Sequence, residues 1–398
     1  YPATILALSL LALAPLAVVG ARSVSNYGQL TDLSPDAPSI IGARAIRTYF
    51  NLGELGPTTV LIDHPRLDFR TPEGRAAVDR LSRDLAAVPE VAEVRSISQP
   101  LGKPPTPPRT LLERLRQAAV EPMIRSKAES YYVGTEASGA DRDHITRLIA
   151  VFKTDPFSEE SLQTLEGVRG VLARATAPEG SLAGASTGLA GATAAISDLK
   201  RVITQDERRM YVLVTLGVYA VLVVLLRRPG ICLYLMATVI LGYLASLGVT
   251  ELVFHALHAG PEPWVGLDWK VGFFLFVILV AVGEDYNIFL MSRVIEEERK
   301  HGTVEGTRRA VAYTGGIISS CGLIMAGTFG SMLTGRLTAL RELGFALGLG
   351  VLLDTFVVRP ILVPAFVVLL HRARTAWTSK PTPTPLGQAE EATTTSAT

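Results

Sequence analysis

Hydrophobic and polar positions fall in long blocks. Ala3 to Val19 is apolar apart from Thr4, Ser9 and Pro15. Five further runs follow: Met210–Leu226, Ile231–Val249, Val271–Val282 continued by Ile288–Met291, Val311–Thr334 and Phe345–Leu370. Each is long enough to cross a hydrocarbon core about 30 Å thick at about 1.5 Å per residue. The pattern predicts six transmembrane helices. The first run resembles a signal peptide in length but has no basic residue ahead of it, and is read as the first span. The chain starts at Tyr1 rather than Met, which suggests a fragment whose N-terminal part is missing.

Between the first two spans the rhythm changes. Thr58–Ile62 reads as a strand, and Thr71-Pro72-Glu73 as a capped helix start whose apolar face carries Val78, Leu81, Leu85 and Val88. Val91–Ile97 alternates as a second strand. A proline-rich link (Gly102–Pro108) leads to a helix bearing Leu111, Leu112, Leu115 and Ala119. Ile145–Phe152 is a third strand, Ser158–Ala175 a second crossover helix, and Leu182–Ser186 a fourth strand. Two β-α-β units of this size predict an α+β, ferredoxin-like sandwich inserted after the first helix. Gly188–Arg209 is helical in pattern and runs into the second span. Ser292–Arg309 reads as a charged amphipathic segment, and the tail from Lys380 as disordered. The expected domains are residues 1–21 (first span), 22–209 (soluble domain), 210–371 (five-helix bundle) and 372–398 (cytoplasmic tail).

Composition agrees with a mixed protein: mean hydropathy is +0.32, with 48% apolar and 19% charged residues. A net charge of +1 implies no nucleic-acid partner. Short connections on one side carry Arg227, Arg228, Arg293, Arg299, Lys300, Arg308, Arg309, Arg372 and Arg374; those on the other carry Lys270, Arg336 and Arg341. This imbalance puts the first set in the cytoplasm and the soluble domain in the periplasm or cell exterior. Trp264 and Trp269 fit an interfacial aromatic belt. Cys232 and Cys321 lie in apolar runs and read as packing residues.

The fourth span holds the unusual chemistry. Glu284 and Asp285 interrupt it, followed by Tyr286 and Asn287. A charge at membrane depth costs about 3 kcal/mol on insertion scales, so the acids are expected to face a bundle interior or a water path and to handle protons or ions. In the fifth span Gly322, Ala326 and Gly330 form a small-residue stripe for close helix packing. Ser319 and Ser320, one turn away, either pack in the same way or hydrogen-bond to Asp285. In the sixth, Asp354 and Arg359 form a structural ion pair or headgroup anchor rather than a proton carrier.

Other patterns carry less. No G-x-x-x-x-G-K-[ST] loop occurs, so ATP is not the expected energy source. Gly184-Ala185-Ser186-Thr187-Gly188 matches the G-x-S-x-G hydrolase elbow, but no acid-then-histidine follows it within the soluble domain. His255 and His258 sit near one another without further ligands. No enzyme activity, cofactor or metal is expected.

One helix, a large α/β domain, then five helices with an acid in the fourth span of the chain resembles one half of an RND-superfamily transporter. GEDYNIFLMSRVIEE (Gly283–Glu297) is similar to the G-x-D-Y-N-x-F-L signature of the MMPL branch in its second-half form. GELGPTTVLI (Gly53–Ile62), TGLAGATAAISDL (Thr187–Leu199) and GVLLDTFVVRPILVPA (Gly350–Ala365) add to the likeness. The resemblance implies a porter-type soluble domain and a proton-relay pair, Asp285 and Tyr286, with Glu284 and Asn287 beside it, facing a matching pair on a missing N-terminal half or second copy. Glu284 departs from the family pattern. At about 100° around the helix from Asp285 it is expected to face a separate polar path or a lysine elsewhere. The implied function is proton-motive-force-driven export of hydrophobic or lipid-like substrates across the inner membrane, with protons and membrane lipids as partners and a homo-oligomer as one possible assembly. The alternatives are a sterol-sensing or receptor-like protein, or a protein-export accessory factor, of the same superfamily.

Overall fold

The computed structural model describes residues 2–28, 32–33, 36–102, 123, 126–134, 143–258 and 264–378. In chain order its elements are α1 (Pro2–Ala21), β1 (Ser25–Asn26), α2 (Pro38–Tyr49), β2 (Thr58–Asp63), α3 (Pro72–Ala86), β3 (Val91–Arg95), β4 (Ile145–Phe152), α4 (Glu159–Thr176) and β5 (Ser186–Ala190). They continue with α5 (Ala192–Leu226), α6 (Pro229–Leu257), β6 (Leu267–Asp268), α7 (Trp269–His301), α8 (Thr303–Gly330) and α9 (Thr338–Leu353). A π-helix (Asp354–Leu362) and α10 (Val363–Thr378) close the fold. The chain divides into two compact units: Tyr1–Asn26, Tyr211–Gly335 and Ala339–Thr398 form one, Tyr27–Met210 and Arg336–Thr338 the other.

The unit built on residues 27–210 holds a four-stranded sheet in the order β3-β4-β2-β5, every neighbouring pair antiparallel. Period-two alternation sets its inner face: Thr58, Val60 and Ile62 of β2 and Thr146, Leu148 and Ala150 of β4 are buried. Both helices meet that face with 3.6-residue stripes, Val78, Leu81 and Leu85 from α3 and Leu165, Val168 and Leu172 from α4. Thr71 caps α3 by accepting from the Gly74 amide at 3.2 Å, and Ser158 caps α4 by accepting from the Ser161 amide at 3.3 Å. The fourth strand lies at Ser186–Ala190, later than Leu182–Ser186, and the next helix starts at Ala192 rather than Gly188. Gly191 makes the turn between them: its φ is +128°, and a Cβ there would stand 2.6 Å from the Pro57 carbonyl oxygen. The expected helix at Leu111–Ala119, and the tail from Lys380, lie outside the described residues.

The other unit holds the spans, the second of them from Tyr211 onward. Among the described residues six helices are long and apolar enough to cross a membrane; the last, Thr338–Ala373, combines α9, the π-helix and most of α10. Large apolar side chains point outwards as well as inwards: Leu11, Val224 and Ile324 are exposed while Leu235, Leu290 and Val358 are buried. Such a surface requires an apolar solvent. The predicted amphipathic segment at Ser292–Arg309 belongs instead to two helices, because α7 runs on to His301 and breaks only at Gly302, whose φ is +76°.

Glycines set two close approaches. Gly20 of α1 and Gly248 of α6 face each other backbone to backbone: a Cβ on Gly248 would collide with the Leu16 carbonyl and stand 2.8 Å from the Gly20 amide nitrogen. In the fifth span the small-residue stripe receives the last one. A Cβ on Gly322 would strike the Thr355 side chain, and one on Gly348 would lie 3.4 Å from the Ala326 carbonyl oxygen and 3.8 Å from the Gly330 nitrogen.

The α1–α6 crossing tests this packing. Gly248→Val drives a branched side chain into rigid backbone and is expected to lower stability by about 2–3 kcal/mol. Gly217→Ala, where a Cβ meets nothing within 4 Å, leaves the apparent Tm in detergent unchanged or higher. Equal behaviour of the two variants in thermal melts contradicts the close crossing.

Candidate functional site in the membrane helices

The middle of α7 separates its residues by face. The buried stripe runs through Leu275, Leu279, Gly283, Glu284, Asn287, Leu290, Met291 and Val294. Phe274, Ala281, Asp285, Phe289 and Ser292 form the exposed one. Adjacent helical residues differ by about 100°, so two consecutive acids can fall on different faces of the helix. Glu284, 3% exposed, is the inward acid, whereas Asp285 lies on the exposed stripe. Of the two acids expected to face a bundle interior or a water path, Glu284 faces the interior of this chain and Asp285 does not. Asp285 is about 24 Å along the helix from Trp269 and about 12 Å before Arg293, far from either end.

The neighbours divide accordingly. Asn287 is buried and donates from Nδ2 to Glu284 Oε2 at 3.2 Å, which joins it to Glu284 rather than to Asp285. Tyr286 is half-buried; its hydroxyl donates to the Met325 sulfur of α8 at 3.4 Å, beside the Cys321 thiol. Ser320 turns its hydroxyl back to the Ile317 carbonyl at 3.0 Å, and among the described residues no hydrogen bond joins Asp285 to Ser319 or Ser320. Neither Met325 nor Cys321 is conspicuous in an apolar run, and only the packing of α7 on α8 makes them partners of the phenol.

Arg359 sits at the centre of the inward cluster, 1% exposed. Its Nη2 donates to Asp354 Oδ2 and lies 3.4 Å from the Gly283 carbonyl oxygen, and its guanidinium carbon is 4.2 Å from the centroid of the Tyr286 ring. The Asp354–Arg359 pair is thus an ion pair inside the bundle and not a headgroup anchor. The π-helix makes it. Residues five apart lie about 140° apart around an α-helix, but i→i+5 bonding brings them onto one side. Pro360 has no amide hydrogen to donate to the α ladder, and this favours the wider turn. Tyr234 of α6 braces the segment: its hydroxyl donates to the Leu362 carbonyl at 3.0 Å while its ring stacks on Phe366 with centroids 3.6 Å apart.

The remaining motifs are placed as follows. Ser186 opens the edge strand β5 opposite Asp63 and is exposed; a hydrolase elbow would put it at the end of a strand. The nearby His64 has both nitrogens engaged: Nδ1 accepts from the Leu67 and Arg66 amides at 2.9 and 3.1 Å, and Nε2 donates to the Ala183 carbonyl at 3.2 Å. His255 and His258 flank Trp264, at 6.0 and 5.6 Å between ring centroids, and Trp264 donates to Glu251 at 2.6 Å. Among the described residues, no group of three or more His, Cys, Asp or Glu side chains is placed to hold a metal ion. Ser186→Ala should change stability by no more than about 0.5 kcal/mol, as expected of an exposed position without a special contact, and should leave any transport activity intact; a well-folded variant that loses activity would restore a role for the hydroxyl.

Comparison with known proteins gives consistent matches. Residues 31–386 match the MMPL family. The chain is 36% identical to a membrane protein of Streptomyces coelicolor over 258 residues, covering 61% of this chain and 29% of that protein. It is 33% identical over 254 residues to MmpL12 of Mycobacterium tuberculosis, a transport protein by name, covering 64% and 22%. Against the sulfolipid-1 exporter MmpL8 of the same species it is 37% identical over 230 residues, covering 58% and 20%. The matched stretch therefore spans less than a third of each relative. With the family match running through both units and the G-E-D-Y-N segment in the middle of a membrane helix, the chain belongs to the MMPL family of the RND transporter superfamily.

Proposed function

We propose that this chain forms the second half of a proton-driven exporter of hydrophobic or lipid-like molecules. The observation that carries the reading is Asp285: a carboxylate in the middle of a membrane helix, on an exposed stripe between Ala281 and Phe289. Left against lipid it would cost about 3 kcal/mol. A second element, either the complementary half or another copy, covers this stripe and supplies polar partners. Asp285 and Tyr286 then act as the relay at that seam, Asp285 taking up and releasing the proton and Tyr286 holding the adjacent helix through Met325. Protonation removes the charge and lets α7 shift against the covering element.

The driving force is adequate. One elementary charge crossing 100 mV is worth about 2.3 kcal/mol, and one pH unit adds about 1.4 kcal/mol. The sheet order β3-β4-β2-β5 with two crossover helices supports reading residues 22–209 as a ferredoxin-like porter-type domain. The excess of basic residues in the opposite set of loops supports its location outside the cytoplasm. A lipid-like substrate is supported by the relatives, one of which is named as an exporter of sulfolipid-1.

The test is proton flux into vesicles containing the full-length protein under an imposed pH gradient. Asp285→Asn is expected to abolish flux while preserving expression and the apparent Tm. Equal flux in a well-folded Asp285→Asn protein overturns the relay. No flux in either protein, with a candidate lipid present, favours a sensor or scaffold of the same superfamily.

A further inference from the structure

The inward cluster is polar, buried and incompletely satisfied. Arg359 uses only Nη2; its Nε and Nη1 are buried without a partner. Each acid near it also keeps a free acceptor: Oδ1 of Asp354 and Oε1 of Glu284 are buried and unpartnered, as is Oδ1 of Asn287. A guanidinium carries five N–H donors in a fixed fork, and stranding them together with matching acceptors costs about 1–3 kcal/mol per group. Such an arrangement suits a group with two places to go.

From these contacts we infer that Glu284 and Asp354 are alternative seats for the Arg359 guanidinium, and that proton occupancy of Glu284 selects between them. In the arrangement seen, Arg359 pairs with Asp354 on its own segment and already touches the carbonyl of Gly283, the residue before Glu284. Its aromatic support, Tyr286, belongs to α7 and flanks the crossing. With a proton on Glu284 the guanidinium stays on Asp354. When that proton leaves to water, the carboxylate of Glu284 draws the fork across. The π-helix supplies the freedom: tightening one i→i+5 turn to i→i+4 moves residues 354 and 359 to opposite sides of the axis, about 140° apart, and breaks their pairing.

The groups facing this exchange are few. Glu284 accepts from Asn287 on its own helix, and Arg359 on the π-helix and the Cys232 thiol on α6 lie within range of its charge. Arg359 touches Asp354 and the Tyr286 ring and lies within range of the Glu284 charge. Asp285 points to the other face of α7 and takes no part, so the exchange stands whether or not Asp285 carries protons.

The test uses the full chain in lipid nanodiscs with Asp354→Asn, Glu284→Gln and the double variant. Each single variant leaves Arg359 one carboxylate, so the double variant is expected to lose more apparent Tm than the two singles summed. Additive losses overturn the exchange, and so does an Asp354→Asn protein as unstable as the double variant or unable to fold while Glu284→Gln folds. A second readout is the pH titration of the Glu284 carboxyl band in infrared spectra, assigned by its absence in Glu284→Gln. Asp354→Asn is expected to move the midpoint to lower pH, because the guanidinium then stays with Glu284; an unmoved midpoint overturns the proposal.

Discussion

A guanidinium buried in a membrane bundle constrains everything around it. Arg359 is 1% exposed, and a buried ion of that size carries a desolvation penalty of several kcal/mol even after relaxation. The surrounding structure can be read as its compensation. Asp354 supplies the opposite charge, Tyr286 an aromatic face and Gly283 a carbonyl. Gly322 leaves room for Thr355, so the segment that carries the ion pair lies close against the fifth span. Tyr234 then satisfies the Leu362 carbonyl at the end of the irregular stretch, where a bare backbone acceptor would be costly in an apolar medium.

That constraint also explains why α7 has two polar faces rather than one. The inward position at 284 meets a cation and so tolerates a carboxylate, with Asn287 one turn away as a hydrogen-bond donor. The position at 285 is turned about 100° further round and is directed to whatever covers the exposed stripe. Two neighbouring acids on one helix thus belong to different environments, and a substitution at one is no surrogate for a substitution at the other.

The sequence was most informative where physics is periodic. Six apolar runs and the strands at Thr58–Ile62 and Ile145–Phe152 follow directly from the solvent each face meets. The cap at Thr71 was readable because a side-chain oxygen before a helix has one evident task. Boundaries ruled by a single backbone conformation were not readable: only the positive φ of Gly191 and its contact with Pro57 put the fourth strand at Ser186–Ala190. At the site, the types of residue were legible but their facing was not. The i, i+5 spacing of Asp354 and Arg359 looks unfavourable on an α-helix, and it becomes a contact only in a π-helix that no local propensity announces. The Gly20–Gly248 crossing was hidden for another reason, since each glycine finds its partner more than two hundred positions away in the chain.

These features bear on how charge is handled in the bundle. An ion pair within one segment needs no neighbour and would remain intact however the helices moved. Arg359 instead combines an acid on its own segment with a carbonyl and an aromatic ring on α7, so displacement of one helix against the other must alter its solvation. Wide i→i+5 turns lower the resistance to such a displacement, because a turn that already departs from the α ladder has fewer well-formed bonds to lose. A rigid helix would better serve a purely structural ion pair. The irregular segment around Pro360 is better suited to a pair whose members change distance, and its Arg359 reaches the carbonyl of Gly283, the residue before the inward acid Glu284.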